Sequence, residues 1–140
     1  MATQIQIDGI IGLDVTAADI RAQFAEASEP VEMIVNSPGG LVSEGTAIFN
    51  AVRDFRRQGG EVSARVVGMA ASMSSYIPLA ADRVTVEDNA VYMIHNPHAI
   101  AIGDQRSMRK TADTLDGLAG ILANAYARKT GKPVDEIRGL

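Results

Sequence analysis

Val62-Ser-Ala-Arg-Val-Val-Gly-Met-Ala-Ala-Ser-Met73 is the stretch whose reading decides the fold. Val62 to Val67 has the β-branched character of a strand, Gly68 breaks it, and small residues from about Ala71 open a helix. The same rhythm occurs upstream. Val31-Glu-Met-Ile-Val35 is a short apolar strand running into Asn36-Ser-Pro-Gly-Gly40, a cluster suited to a tight turn. A helix follows with Ile48, Val52 and Phe55 on one face, and Gly59-Gly60 ends it. Further out, Ile5, Ile7 and Ile10-Ile11 predict a first strand, and Thr16-Ala-Ala-Asp19 predicts a capping box for a helix that sets Ile20 and Phe24 one turn apart. Downstream, Val84-Thr-Val86 and Val91-Tyr-Met-Ile94 read as two more strands. Ser107 to Tyr126 reads as a long helix with Leu115, Leu118 and Leu122 on one stripe. Strands alternating with helices predict an α/β fold with a largely parallel sheet. No linker interrupts the pattern, so residues 1–140 read as a single domain.

Composition narrows the function classes. The chain has 140 residues, of which 46% are hydrophobic and 21% charged, as expected of an ordinary globular protein. Its net charge of −4 comes without a run of Lys or Arg, which argues against nucleic acid and anionic lipid as partners. There is no Cys, so disulfides, thiol catalysis and thiolate metal sites are excluded. Two His and scattered carboxylates assemble no metal cluster, and no cofactor motif is present. The N-terminus lacks the basic and apolar regions of a signal peptide, and a cytoplasmic location is the default expectation.

Asn36 to Gly40 and Gly68 to Met73 each end a predicted strand in a Gly turn and begin a helix. In α/β folds this arrangement brings backbone N–H groups and reactive side chains to one sheet edge. A Ser at a helix start feels the positive end of the dipole, and Ala70 and Ala71 are small enough to let a substrate backbone approach. Ser72 is therefore a candidate nucleophile. Acyl transfer also needs donors for the oxyanion, which the amides of Met73 and of a Gly in Pro38-Gly-Gly40 would supply. A hydroxyl needs a base within reach, and His95, just past the Val91 strand, leads His98 for that role. Each feature also has a plainer reading: Ser72 packed in a helix start, the glycines merely turning the chain, His95 bonded to backbone. The G-x-S-x-G elbow is absent, so spacing alone assigns no reaction.

Taken together, Asn36-Ser-Pro-Gly-Gly40, Gly68-Met-Ala-Ala-Ser-Met73 and Met93-Ile-His95-Asn-Pro97 resemble the three signature segments of the ClpP family of serine peptidases, especially its phage and prophage relatives. The resemblance extends through Tyr126-Ala-Arg-Lys-Thr-Gly131. It implies a ClpP/crotonase-type superfold, Ser72 as nucleophile, His95 as base, and Gly40 and Met73 as oxyanion amides. It also implies an extended stretch at about Ala99 to Gln105 and a long handle helix. The implied assembly is a homo-oligomeric ring or stacked pair of rings, and the implied activity is endopeptidase cleavage of extended polypeptide, such as phage capsid or scaffold protein.

Two departures from the family pattern qualify these expectations. The family's triad acid and its last strand and helix fall beyond Leu140, so the domain reads as truncated at its C-terminus. Asp135 and Glu136 read as helix-start carboxylates, and Asp104, Asp113 and Asp116 as solvated positions. The short run before Ile5 leaves no room for an N-terminal docking loop, which argues against an unfoldase ATPase as partner. Ser74 and Ser75 read as helix lining or caps, and Ser37 as part of its turn. Lys110 and Lys129 read as solvated rather than as partners in a Ser-Lys dyad, and the Met residues as packing. Two other functions compete: a ClpP-like assembly subunit without catalysis, and a crotonase-type acyl-CoA enzyme, which needs no Ser nucleophile.

Overall fold

The computed structural model describes residues 2–140. They form two compact units, one running to Ile94 and the other from His95 to Leu140. The first holds strands β1 (Thr3–Ile11), β2 (Val31–Gly40), β3 (Val62–Ala71), β4 (Arg83–Val86) and β5 (Val91–Met93). It also holds helices α1 (Ala17–Glu26), α2 (Val42–Arg57) and α3 (Met73–Tyr76), the last followed by a 3-10 turn over Ile77–Ala80. The second holds α4 (Gln105–Thr130) and α5 (Val134–Arg138).

All strand pairs are parallel, in the order β1-β2-β3-β4, with β5 also paired to β3. Side chains alternate along a strand, so register decides what reaches the core. Ile5, Met33 and Ala64 lie in one row across the sheet and Ile7, Val35 and Val66 in the next, and all six are buried. The opposite face is polar. Its row Gln6, Ile34, Arg65 and Thr85 includes an Arg65 guanidinium 3.6 Å from Glu32 and 3.2 Å from Glu87. Ile20 and Phe24 of α1 and Ile48 and Val52 of α2 are buried as their spacing predicts. Thr16 caps α1 by accepting from the Asp19 amide at 3.2 Å.

The sequence reading placed two strand ends too early. β2 continues through Asn36–Gly40, and β3 passes Gly68 to reach Ala71. Partners explain both extensions. β1 pairs Asp8 with Asn36, Ile10 with Gly39 and Ile11 with Gly40, absorbing the irregularity in a register shift. β3 exchanges partners along one edge, with β4 beside Ser63–Val66 and β5 beside Met69–Ala71. The helix expected from about Ala71 is consequently a single turn, and Ala70 and Ala71 are buried in the sheet rather than open to a substrate.

In the second unit α4 is longer than expected at both ends. Asp104 caps it by accepting from the Ser107 amide at 2.9 Å, and this bond holds the Asp104 carboxyl below its ordinary value. A depressed carboxylate lends its capping above the ordinary range and loses it as pH falls. Gly131 ends α4 in the left-handed conformation, and Arg138 of α5 reaches back to Asp116 at 2.6 Å. Among the described residues, no helix is long and apolar enough to cross a membrane.

Asp82 joins three elements of the first unit. One carboxylate oxygen accepts from the Val62 amide at 2.8 Å, and the other takes Arg56 Nε at 2.8 Å and Nη2 at 2.6 Å. The same Arg56 donates to the Ala80 carbonyl at 2.9 Å. Partial exposure weakens the ion pair, and we expect Asp82→Ala to cost about 2 kcal/mol in denaturant unfolding. A change within about 0.5 kcal/mol would show that this junction is not a stability determinant.

Candidate active site

Among the described residues, Ser72 is the one non-glycine residue at positive φ, with φ 56° and ψ −127°. This conformation costs a serine on the order of 1–3 kcal/mol and persists only where its surroundings over-determine it. Here they do. The Ser72 amide donates to the Met93 carbonyl of β5 at 3.0 Å, and the Ser72 carbonyl accepts from the Ser75 amide at 3.0 Å and from the Ser75 hydroxyl. The chain therefore turns sharply from β3 into α3 at this one residue, and Ser72 stands at the tip of the turn, half-buried. A strained strand-to-helix turn of this kind is how other hydrolase folds expose a nucleophile, and the geometry is present without the G-x-S-x-G sequence.

The neighbouring hydroxyls are committed elsewhere. Ser74 is buried, with its Oγ 2.6 Å from the Ser37 carbonyl oxygen, 2.8 Å from the Ala71 carbonyl oxygen and 2.8 Å from the Ala71 nitrogen. Ser75 is bound to the Ser72 carbonyl, and its own carbonyl accepts from the Tyr92 hydroxyl. Ser37 is buried and accepts from the Gly39 amide at 3.1 Å. Ser72, by contrast, makes no capping hydrogen bond with its side chain.

The Pro38–Gly40 segment of β2 packs against this turn through Gly39. A methyl group on Gly39 would lie 2.7 Å from Ser72 Cβ, 2.8 Å from the Ala71 carbonyl oxygen and 3.2 Å from the Met73 nitrogen, and Gly39 itself has φ 103°. Only glycine fits there. Sequence reasoning reached the glycine pair but missed Gly39 as the residue packed on the serine turn. The doubled glycine was the signal for it. Gly40 is instead pressed against β1, where an added methyl would lie 2.0 Å from the Ile11 carbonyl oxygen. Met73 is buried, with its side chain beside Gly45 of α2.

His95 opens the second unit, exposed, in a stretch without regular structure that runs to Asp104. Its Nδ1 lies 2.6 Å from the Asn96 carbonyl oxygen, and its ring centroid is 5.4 Å from that of His98. Several carboxylates of this unit are engaged away from it: Asp104 with the α4 cap, Asp116 with Arg138, and Glu136 with Lys132 at 2.9 Å.

The model of one protein family, Clp protease, matches residues 5–140 of this chain. The match begins at Ile5 in β1 and runs through both compact units, covering the serine turn, the β2 glycines and the His95 segment. Members of that family are generally oligomeric proteases that act on polypeptides. With an α/β architecture, a mostly parallel sheet and a match across nearly its whole length, the chain belongs to the Clp protease family of serine peptidases.

Proposed function

We propose that this chain is a serine endopeptidase subunit in which Ser72 is the nucleophile and His95 the general base. One observation carries the reading: the strained conformation of Ser72, whose hydroxyl caps nothing while Ser74 and Ser75 are tied to backbone. In the proposed reaction Ser72 Oγ attacks the scissile carbonyl carbon as its proton passes to His95 Nε2. The Gly40 and Met73 amides receive the developing oxyanion. The imidazolium then protonates the leaving amine, and water hydrolyses the ester by the reverse of the first step. The family match spans both compact units, which supports treating them as one peptidase domain.

The substrate class we propose is extended polypeptide, with phage capsid or scaffold protein as its narrower form, supported by the signature segments quoted above. An assembly subunit without catalysis is the second reading. The observation that favours it is that His95 Nδ1 meets a backbone carbonyl rather than a carboxylate. Turnover of a small fluorogenic peptide separates the two. We expect slow hydrolysis that falls to background in Ser72→Ala and in His95→Ala. The double variant should be no worse than either, because residues acting as a unit are not additive. Equal turnover by the parent chain and Ser72→Ala would overturn the peptidase reading.

We also propose that the protein is a homo-oligomer. Ile100 and Ile102 are 95% and 93% exposed, and Ile121 of α4 is 60% exposed. Exposed apolar side chains of this kind are what a contact with further copies would cover. Light scattering should report a mass above the 14.8 kDa of one chain. A monodisperse monomer at high micromolar concentration would contradict this.

A further inference from the structure

Local preference is overridden at two exposed positions of the first unit. Leu41 occupies the N-cap of α2 in extended backbone and makes no capping hydrogen bond with its side chain. Ser, Asp or Asn would satisfy a free amide there, and Leu is among the residues least suited to the place. Leu13 sits in the tight turn after β1, its amide 3.1 Å from the Ile10 carbonyl oxygen, where glycine and polar residues are usual. Leu41 is 59% exposed and Leu13 is 73% exposed, so neither gains the burial that would offset its poor local fit. An apolar residue that breaks a local rule and stays in water points to a contact made outside the chain.

The two side chains are neighbours. A methyl group on Gly12 would lie 2.8 Å from Leu41 Cδ1, so Leu41 lies against the residue that precedes Leu13. Ile10, 44% exposed, opens the same turn and pairs in register with Gly39. Gly39 is the residue packed on Ser72 Cβ, and Leu41 follows it by two positions, which span at most about 7 Å of chain. An extended substrate advances about 3.3 Å per residue, so the patch begins within about two substrate residues of the serine turn. We propose that Ile10, Leu13 and Leu41 form a subsite for one apolar side chain of the polypeptide substrate, one or two positions from the scissile bond. The proposal rests on the peptidase reading of Ser72.

The size and charge of the patch set its occupant. Three side chains fall far short of the roughly 20–30 residues a side that a stable protein interface takes, yet they suffice to hold one Leu-sized group. The rim is acidic. Asp14 Oδ2 accepts from the Ile10 amide at 2.8 Å, and Glu44 Oε2 accepts from the Ala17 amide at 2.8 Å. Among the described residues neither carboxylate is paired with a Lys or Arg. Arg21 is the single basic side chain through residue 52, while carboxylates recur across that stretch. An apolar residue flanked by Lys or Arg therefore suits this surface better than one flanked by Asp or Glu.

The test is a selectivity ratio measured on the full chain. Fluorogenic peptides of one length, each with a flanking Lys, carry Leu or Ser at one position at a time within two residues of the cleaved bond, which mass spectrometry locates. We expect one position at which Leu raises kcat/KM at least about tenfold over Ser, and a roughly tenfold fall of that ratio in the double variant Leu13→Ser with Leu41→Ser. Ser is a favoured N-cap, so Leu41→Ser should unfold in denaturant no earlier than the parent, and a lost preference is then not a damaged fold. No preference in the parent chain, or a preference retained in the double variant, would overturn the proposal. A smaller light-scattering mass in the double variant with selectivity unchanged would assign the patch to a subunit contact and overturn it as well. Ser72→Ala separates the two layers. Flat selectivity in turnover that Ser72→Ala abolishes removes the subsite and leaves the peptidase reading intact, whereas turnover absent or indifferent to Ser72→Ala removes both.

Discussion

The Ser72 backbone is held where a serine does not settle unaided, at φ 56°, by hydrogen bonds on both sides and by a glycine packed against its Cβ. Much of the first unit can be traced to that constraint. The Ser72 amide needs the Met93 carbonyl, so β5 must lie beside the end of β3. β5 finds room because β4 stops at Val86, beside Val66, and leaves the rest of that edge of β3 open. The other edge of β3 carries β2, whose irregular end brings Gly39 against the serine turn, and β1 holds that end through Ile10 and Ile11. Strain at one residue is thus distributed over four strands, which is how a conformation costing a few kcal/mol is kept in a marginally stable domain.

Much of this was legible in the sequence. The apolar spacing of Ile5 and Ile7, Ile20 and Phe24, and Ile48 and Val52 identified which faces are buried, because a two-residue or 3.6-residue period reports burial directly. The Thr16 cap and the break at Gly59-Gly60 were equally plain. The strand ends were not. Asn36-Ser-Pro-Gly-Gly40 has turn composition yet remains in the sheet, since partners on β1 outweigh local preference, and composition cannot report a partner thirty residues away. For the same reason Gly68 did not end β3: the strand that prolongs it, β5, is only three residues long and comes twenty residues later.

At the site, the motif singled out Ser72 as a candidate, but its conformation was not legible there. Nothing in Ala71-Ser-Met73 announces a left-handed serine without the glycines of the commoner elbow. The division of labour among Ser72, Ser74 and Ser75 likewise appears only once the backbone carbonyls of Ser37, Ala71 and Ser72 have positions.

The central claim is that Ser72 is the activated hydroxyl of this protein. It is tested most directly by treating the folded chain with a fluorophosphonate and locating the adduct by peptide mass mapping. The account predicts a phosphonate on Ser72 Oγ, lost when the chain is unfolded before treatment and strongly reduced in His95→Ala. An adduct on Ser74, Ser75 or Ser37, or equal labelling of folded and unfolded chain, would contradict it.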